Sequence, residues 1–336
     1  MFVIVLCMNE FLSAIGATFN GQHTVFDAKP DSQEGICALA EYAVLKIEGP
    51  DTAKFLQGQI TADTQVLGVN TSLPAAHCNA KGRAVASFRL IWLSETHYLC
   101  VVPRANASTL LDSLKKYAVF SKVKLNDDSD NWVMLGLSGP DAIKVAQTEW
   151  QLTDGQLNQA VTNSNGHLVF LAPQLAFVLV ANSNALPVWQ KLSGLTTHLD
   201  SSEWQVQRLA LGHTDIQAEA SEQFIPNALN LAQQEGISFT KGCYTGQEIV
   251  ARLKYLGKEK SQLFLIKLNA PRPAGSAIRT ADGSSAGELV EVVAAANTCQ
   301  GLAILRKDKV DQELACEQAS ISILQSFEPK EETNEQ

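Results

Sequence analysis

The seven cysteines, at 7, 37, 78, 100, 243, 299 and 316, include no C-x-x-C pair. Their scatter and odd number exclude a disulfide framework and a zinc knuckle, and fit a reducing compartment such as the cytosol. The sequence also lacks G-x-G-x-x-G, G-x-x-x-x-G-K-[ST] and H-E-x-x-H. Dinucleotide fingerprints, phosphate loops and metalloprotease helices therefore have no support. Charge is sparse at 18% and sums to −9, which argues against a general nucleic-acid coat while leaving a local basic face open. The apolar opening MFVIVLCM lacks a basic flank and is far too short to span a bilayer, so nothing indicates export or insertion. A buried first strand is expected there, with Met8 as an alternative start.

What is present is a chain of 336 residues, 46% hydrophobic, enough for two or three domains with sizeable cores. Residues 13–36 are rich in Gly, Asn, Gln and Asp and read as loop. Tyr42–Pro50 reads as a strand ending in a turn, after which Asp51 caps a helix through Gln57. Runs 84–93 and 97–103 form a strand pair, 109–117 a helix, and 132–137 a strand followed by Gly139-Pro140-Asp141 and a helix over 142–149. The order strand, Gly-Pro-Asp, helix thus occurs twice and points to two similar α+β halves. Strands at 168–171 and 175–180 and a helix at 185–192 follow. From Ser261 short alternating segments at 263–268, 287–295, 301–306 and 320–327, split by turns, indicate a small all-β domain. EPKEETNEQ closes the chain as a solvated acidic tail.

The chemistry concentrates in Lys241-Gly242-Cys243-Tyr244-Thr245-Gly246-Gln247-Glu248. Gly236–Phe239 reads as a short strand entering this turn. Thr245-x-x-Glu248 has the form of a capping box ahead of Ile249, Val250 and Leu253 at helical spacing. Cys243 would then lie just before a helix N-terminus, where the dipole and Lys241 favour thiolate; the bland alternative is a small packed side chain. Gly242 and Gly246 would let the backbone turn sharply. Residues 241–260 carry five cations (Lys241, Arg252, Lys254, Lys258, Lys260) against Glu248 and Glu259, a local excess that suits an anionic ligand. Lys81, Arg83 and Arg89 make a second basic segment; for either, a solvated face is the plain alternative. His77 and Cys78, adjacent on a strand, point to opposite faces and make poor joint metal ligands.

These residues resemble the YgfZ-type folate-binding family, relatives of the glycine-cleavage T-protein (an aminomethyltransferase). The resemblance rests on KGCYTGQE with its extension through Arg252 to Gly257, on Phe224-Ile225-Pro226 with Asn230-Leu231, and on Gly49-Pro50-Asp51 through Asp63. Ala75–Arg83 and Lys115–Val123 add to it, and it spans roughly residues 38–327. It implies an α+β, T-protein-like fold: two interleaved α+β domains over 37–257 and a C-terminal β-barrel over 258–328 around a central cavity. Residues 1–36 would be an irregular segment and 329–336 a disordered tail. It implies tetrahydrofolate or a derivative as ligand, and a role supporting tRNA methylthiolation and iron–sulfur enzyme upkeep.

By the resemblance, Tyr42 and Trp204 flank the folate, with Tyr42 where the family has Trp, so the indole N–H is lost. Lys241 and Arg252 would hold the glutamate or pterin end, and Cys243 would offer a thiol near the bound one-carbon unit. The T-protein has paired aspartates, one catalytic, where this chain has Ala86-Ser87; that departure argues against aminomethyl transfer. The expectation is a cytoplasmic monomer that partners iron–sulfur tRNA-modifying enzymes and no membrane, with direct tRNA contact left open. A folate-dependent one-carbon transferase and a non-catalytic scaffold are the alternatives.

Overall fold

The computed structural model describes residues 8–27, 32–256 and 260–328. Two five-stranded antiparallel sheets face each other. The first runs in the order Ser72–Cys78, Ala84–Ser94, His97–Pro103, Tyr42–Glu48, Lys124–Asp127. The second runs Ala160–Asn163, Gly166–Ala172, Leu175–Ala181, Trp132–Ser138, Gly35–Ala38. Strand alternation explains the layering. Ala43, Leu45 and Ile47 pack outward with Phe55, Leu56, Leu110 and Leu114. Tyr42 and Val44 point inward to meet Met134, Phe177 and Leu179 of the second sheet. In the second sheet Val133, Leu135 and Leu137 pack instead with Ile143, Trp150 and Trp189 of the covering helices.

The Gly-Pro-Asp echo has a structural counterpart. Each copy follows the fourth strand of its sheet and leads into a helix, Thr52–Gln59 or Pro140–Trp150, then a three-strand meander and a further helix, Arg104–Tyr117 or Ala185–Ser193. The halves interleave because Gly35–Ala38 pairs with Trp132–Ser138 before the chain crosses to Tyr42–Glu48 in the other sheet. Strands Ser261–Leu268, Thr298–Arg306, Ser285–Ala295, Ala277–Thr280, Leu314–Cys316 and Ala319–Phe327 close a barrel in that order. Helix Ser201–Ala210 joins the bodies: Trp204 enters the inter-sheet core, while Val206 and Leu209 pack with barrel residues Val290, Val293 and Leu302.

Several local expectations are corrected. Within the presumed loop 13–36, Ala17–Phe19 pairs with Thr24–Phe26, and helix Met8–Ala14 packs Phe11 edge-on against Trp189. Gly236–Phe239 is no strand; its backbone is satisfied by Thr61, whose Oγ1 donates to Gly236 O at 2.6 Å and whose carbonyl accepts from Ser238 N at 2.9 Å. Asp51 does not cap its helix; its Oδ2 accepts from Lys122 N at 2.7 Å. The first-strand reading of MFVIVLCM bears, up to Cys7, on residues outside those described. So do the acidic tail from 329, and Gly257, Lys258 and Glu259 of the basic stretch. Among the described residues no helix is long and apolar enough to cross a membrane.

Candidate functional site: a cavity between the two sheets

A cavity of about 50 Å³ lies where the two sheets, helix Ser201–Ala210 and the 213–215 segment meet. Tyr42, Trp204 and Phe177 supply its aromatic wall, and Ser87, Arg89, Arg208, His213, Thr214, Asp215 and Gln234 its polar wall. Trp204 is 1% exposed, and its Nε1 donates to Leu137 O at 3.2 Å and Ala176 O at 3.1 Å, so the ring is fixed by the second sheet. Tyr42 differs from the sequence reading in an instructive way. Its hydroxyl donates to Asp215 Oδ2 and lies beside Gln205, so it belongs to an ionic network as well as to the aromatic wall. Burial, then the Asp215 charge, raises its pKa well above the usual phenol value.

Arg208 is the centre of that network. Its Nη2 meets Glu291 Oε2 at 2.6 Å and its Nη1 meets Oε1 at 3.1 Å. Its Nε donates to Gln205 Oε1 at 2.6 Å and stands 3.4 Å from Asp215 Oδ2. Glu291 Oε1 also accepts from Asp215 N at 2.9 Å, so a barrel strand is locked to the cavity wall. Burial pulls the Arg208 pKa down, but Asp215 and Glu291 more than offset it and hold it above the ordinary value. His213 is kept neutral: burial first, then the nearby Arg89 charge, lowers its pKa to about 3. Its Nε2 is 3.1 Å from Leu171 O, which makes Nε2 the protonated nitrogen.

The pair Ala86-Ser87 divides between the faces of its strand. Ala86 packs outward with Phe55, while Ser87 lines the cavity. Ser87 Oγ donates to Thr214 O at 3.1 Å and accepts from Ile216 N at 2.9 Å, pinning the segment that carries Asp215. The cavity is therefore not without a carboxylate; Asp215 brings one from elsewhere in the chain. Arg208, Glu291 and Asp215 escaped the sequence reading. Arg89 appeared there only as part of a basic stretch. Its signal was a cation centred in the apolar run AVASFRLIWL.

The KGCYTGQE residues do not line this cavity. Lys241 Nζ donates to Ile60 O at 2.9 Å and Ala62 O at 2.6 Å and lies 5.1 Å from the Tyr244 ring centre. Burial lowers its pKa to about 8, with Asp63 opposing. It anchors the motif to the end of helix Thr52–Gln59. Arg252 is exposed on helix Gln247–Leu256, and Cys243 is exposed in the preceding loop. Thr245 Oγ1 reaches Gln59 Oε1 at 3.5 Å rather than a helix N–H. Of the two motif glycines, Gly246 is the one required. It has φ 83°, and a Cβ there would sit 2.6 Å from Asn79 O and 2.9 Å from Gly82 Cα, whereas Gly242 has nothing within 4 Å. This contact brings the two basic segments of the sequence together. His77 uses both ring nitrogens, on Gln59 O at 2.8 Å and Ser113 Oγ at 2.9 Å. Among the described residues no group of three or more His, Cys, Asp or Glu could hold a metal ion.

Comparison with known proteins gives a consistent result. Residues 31–162 match the GCVT N-terminal domain, and residues 260–326 match the CAF17 C-terminal beta-barrel domain. The tRNA-modifying protein YgfZ of Yersinia pestis (strain Pestoides F) is 36% identical over 257 residues, 74% of this chain and 77% of that protein. YgfZ of Colwellia psychrerythraea is 34% identical over 236 residues, 70% and 72% of the two chains. Among solved structures, glycine cleavage system aminomethyltransferase T from Bartonella henselae superposes with TM-score 0.63 at 15% identity, covering 87% of this chain and 85% of that one. That likeness establishes a T-protein-like fold.

Proposed function

The chain belongs to the YgfZ family, and from that premise we propose that it is a cytoplasmic folate-binding protein that supports tRNA modification. The tRNA role is carried over from its relatives, which are tRNA-modifying proteins. The finer reading is support of methylthiolation by iron–sulfur enzymes, with the protein acting as a monomer. The observation that carries the folate reading is the central cavity. Its lining combines indole, phenol and phenyl rings with hydroxyl, amide and carboxylate groups that suit a flat, polar heterocycle.

The residues fit tetrahydrofolate in chemistry, with one geometric condition. Ligand pockets typically run to roughly 300–1,000 Å³, so a cavity of about 50 Å³ receives one end of the ligand and must widen for the rest. Tyr42 and the 213–215 segment, linked by the Tyr42–Asp215 hydrogen bond, form a wall whose separation would open it. When bound, the folate would supply a carrier for a one-carbon group; the chain's own contribution is to hold its ring against Trp204 and Phe177. Lys241 then has a structural part, and Arg252 and Cys243 serve on the surface, where an exposed thiol meets a partner enzyme.

The test is restoration of tRNA methylthiolation in cells lacking the native protein. Wild type should restore it, and Trp204→Phe should restore it weakly at equal protein level. If Cys243→Ala and Cys243→Ser both restore it fully, the thiol role fails. A one-carbon transferase reading is favoured instead if the purified protein transfers an aminomethyl carbon to tetrahydrofolate through Asp215.

A further inference from the structure

The cavity contains two buried arginines in opposite electrostatic situations. Arg208 is compensated by Glu291 and Asp215. Arg89 is not. It is 7% exposed, lies mid-strand in Ala84–Ser94 and lines the cavity. Its two hydrogen bonds both leave from Nη1, to Ser72 Oγ at 3.1 Å and Asn158 Oδ1 at 2.8 Å. Both acceptors are neutral. Nε and Nη2 have no partner among the described residues, and no carboxylate there lies within ion-pair distance of the guanidinium. Asp215, whose charge does reach it, is already engaged by Arg208 and Tyr42.

A buried guanidinium with half its donor fork unused is unfavourable until an anion completes it. Burial lowers the Arg89 pKa to about 10, so it stays a cation at neutral pH. The Nε–Nη2 edge has the spacing of a carboxylate, which it can hold through two parallel hydrogen bonds. The size of the cavity agrees, because about 50 Å³ takes a head group of that kind before any widening.

We propose that Arg89 seats a carboxylate of the bound ligand on its Nε–Nη2 edge inside the central cavity. The proposal deepens the folate reading and rests on it. The pterin and the glutamate are opposite ends of folate, so only one of them occupies the cavity: with the ring against Trp204 and Phe177 the seated carboxylate is a small free one such as formate, and with the tail inserted in its place it is the glutamate.

The test uses the full chain as wild type, Arg89→Met and Arg89→Lys. Each is titrated calorimetrically with 5-formyltetrahydrofolate, with 6-methyltetrahydropterin (which has no carboxylate) and with formate, and Tm is recorded for each protein. Arg89→Met should keep or raise Tm, since a buried uncompensated cation is removed, while binding the seated carboxylate at least tenfold more weakly. Its affinity for 6-methyltetrahydropterin alone should be unchanged. Arg89→Lys keeps the charge without the planar fork and should fall between. Competition of formate with 5-formyltetrahydrofolate assigns the seat to the tail. Formate that tightens 6-methyltetrahydropterin binding in wild type, and not in Arg89→Met, assigns it to a free carboxylate.

Equal losses for every probe, or no loss for any, overturn the proposal. If neither pterin compound binds wild type yet formate raises the Tm of wild type and not of Arg89→Met, the folate reading falls and the seat stands. If no probe binds wild type, both fall.

Discussion

Replacing either partner of the Arg208–Glu291 pair should destabilise the protein far more than replacing both. Arg208 and Glu291 are 4% and 1% exposed and meet through two contacts, of 2.6 and 3.1 Å. Removing one leaves a buried charge with fewer partners, a loss of about 3–5 kcal/mol. Arg208→Met strands Glu291 with only Asp215 N, and Glu291→Leu leaves Arg208 with the more distant Asp215. In the Arg208→Met/Glu291→Leu double variant no charge of the pair remains, and hydrophobic replacement of such pairs is often close to neutral. The double should therefore lose at least about 2 kcal/mol less than the sum of the singles, a coupling typical of contacting residues. Urea titration of the four proteins measures this. Single losses under about 1 kcal/mol, or additivity within about 0.5 kcal/mol, would refute the view that this pair locks the barrel to the sheets.

Gly246→Ala should cost about 1–3 kcal/mol, because it combines a left-handed φ with backbone collisions at Asn79 and Gly82, while Gly242→Ala stays within about 0.5 kcal/mol; thermal melts of the two compare them directly. Lys241→Met should cost about 2 kcal/mol by leaving the Ile60 and Ala62 carbonyls without their donor, and an unchanged urea midpoint would show that the anchor is dispensable. For His213 the folded pKa of about 3 lies below the unfolded value, so the unfolded chain binds more protons between the two. Its contribution is intact above pH about 6.5 and is lost toward pH 3, at up to about 1.4 kcal/mol per pH unit. His213→Gln should flatten the acid limb of a Tm-versus-pH curve, and an identical limb would contradict the assignment.

The strands were legible because they carry period-two alternation or unbroken apolar runs. The runs 84–93, 97–103, 132–137 and 175–180 each lie within an observed strand. The duplicated halves were visible only through Gly-Pro-Asp, yet the echo marks matching strand-to-helix turns in two sheets. Short segments failed for a physical reason: at Gly236–Phe239 the backbone partners are Thr61 Oγ1 and O, far away in sequence, and no local pattern encodes them. The site was half legible. Tyr42 and Trp204 came from family resemblance and do line the cavity, but Arg208 and Glu291 meet across 83 positions. Their mark in the sequence is a lone charge within an apolar segment, QRLALG and LVEVV, the same signature that Arg89 leaves. KGCYTGQE drew attention by its chemistry, yet much of that chemistry serves docking against helix Thr52–Gln59 and the 79–82 turn.

The central claim is that the cavity walled by Tyr42 and Trp204 receives folate. Calorimetric titration of 5-formyltetrahydrofolate into wild type and Trp204→Phe tests it most directly, with circular dichroism to confirm that both are folded. The account predicts one site per chain in wild type and an affinity at least about tenfold weaker in the variant, through lost ring contact. No binding by folded wild type, or equal affinity in the two proteins, would contradict it.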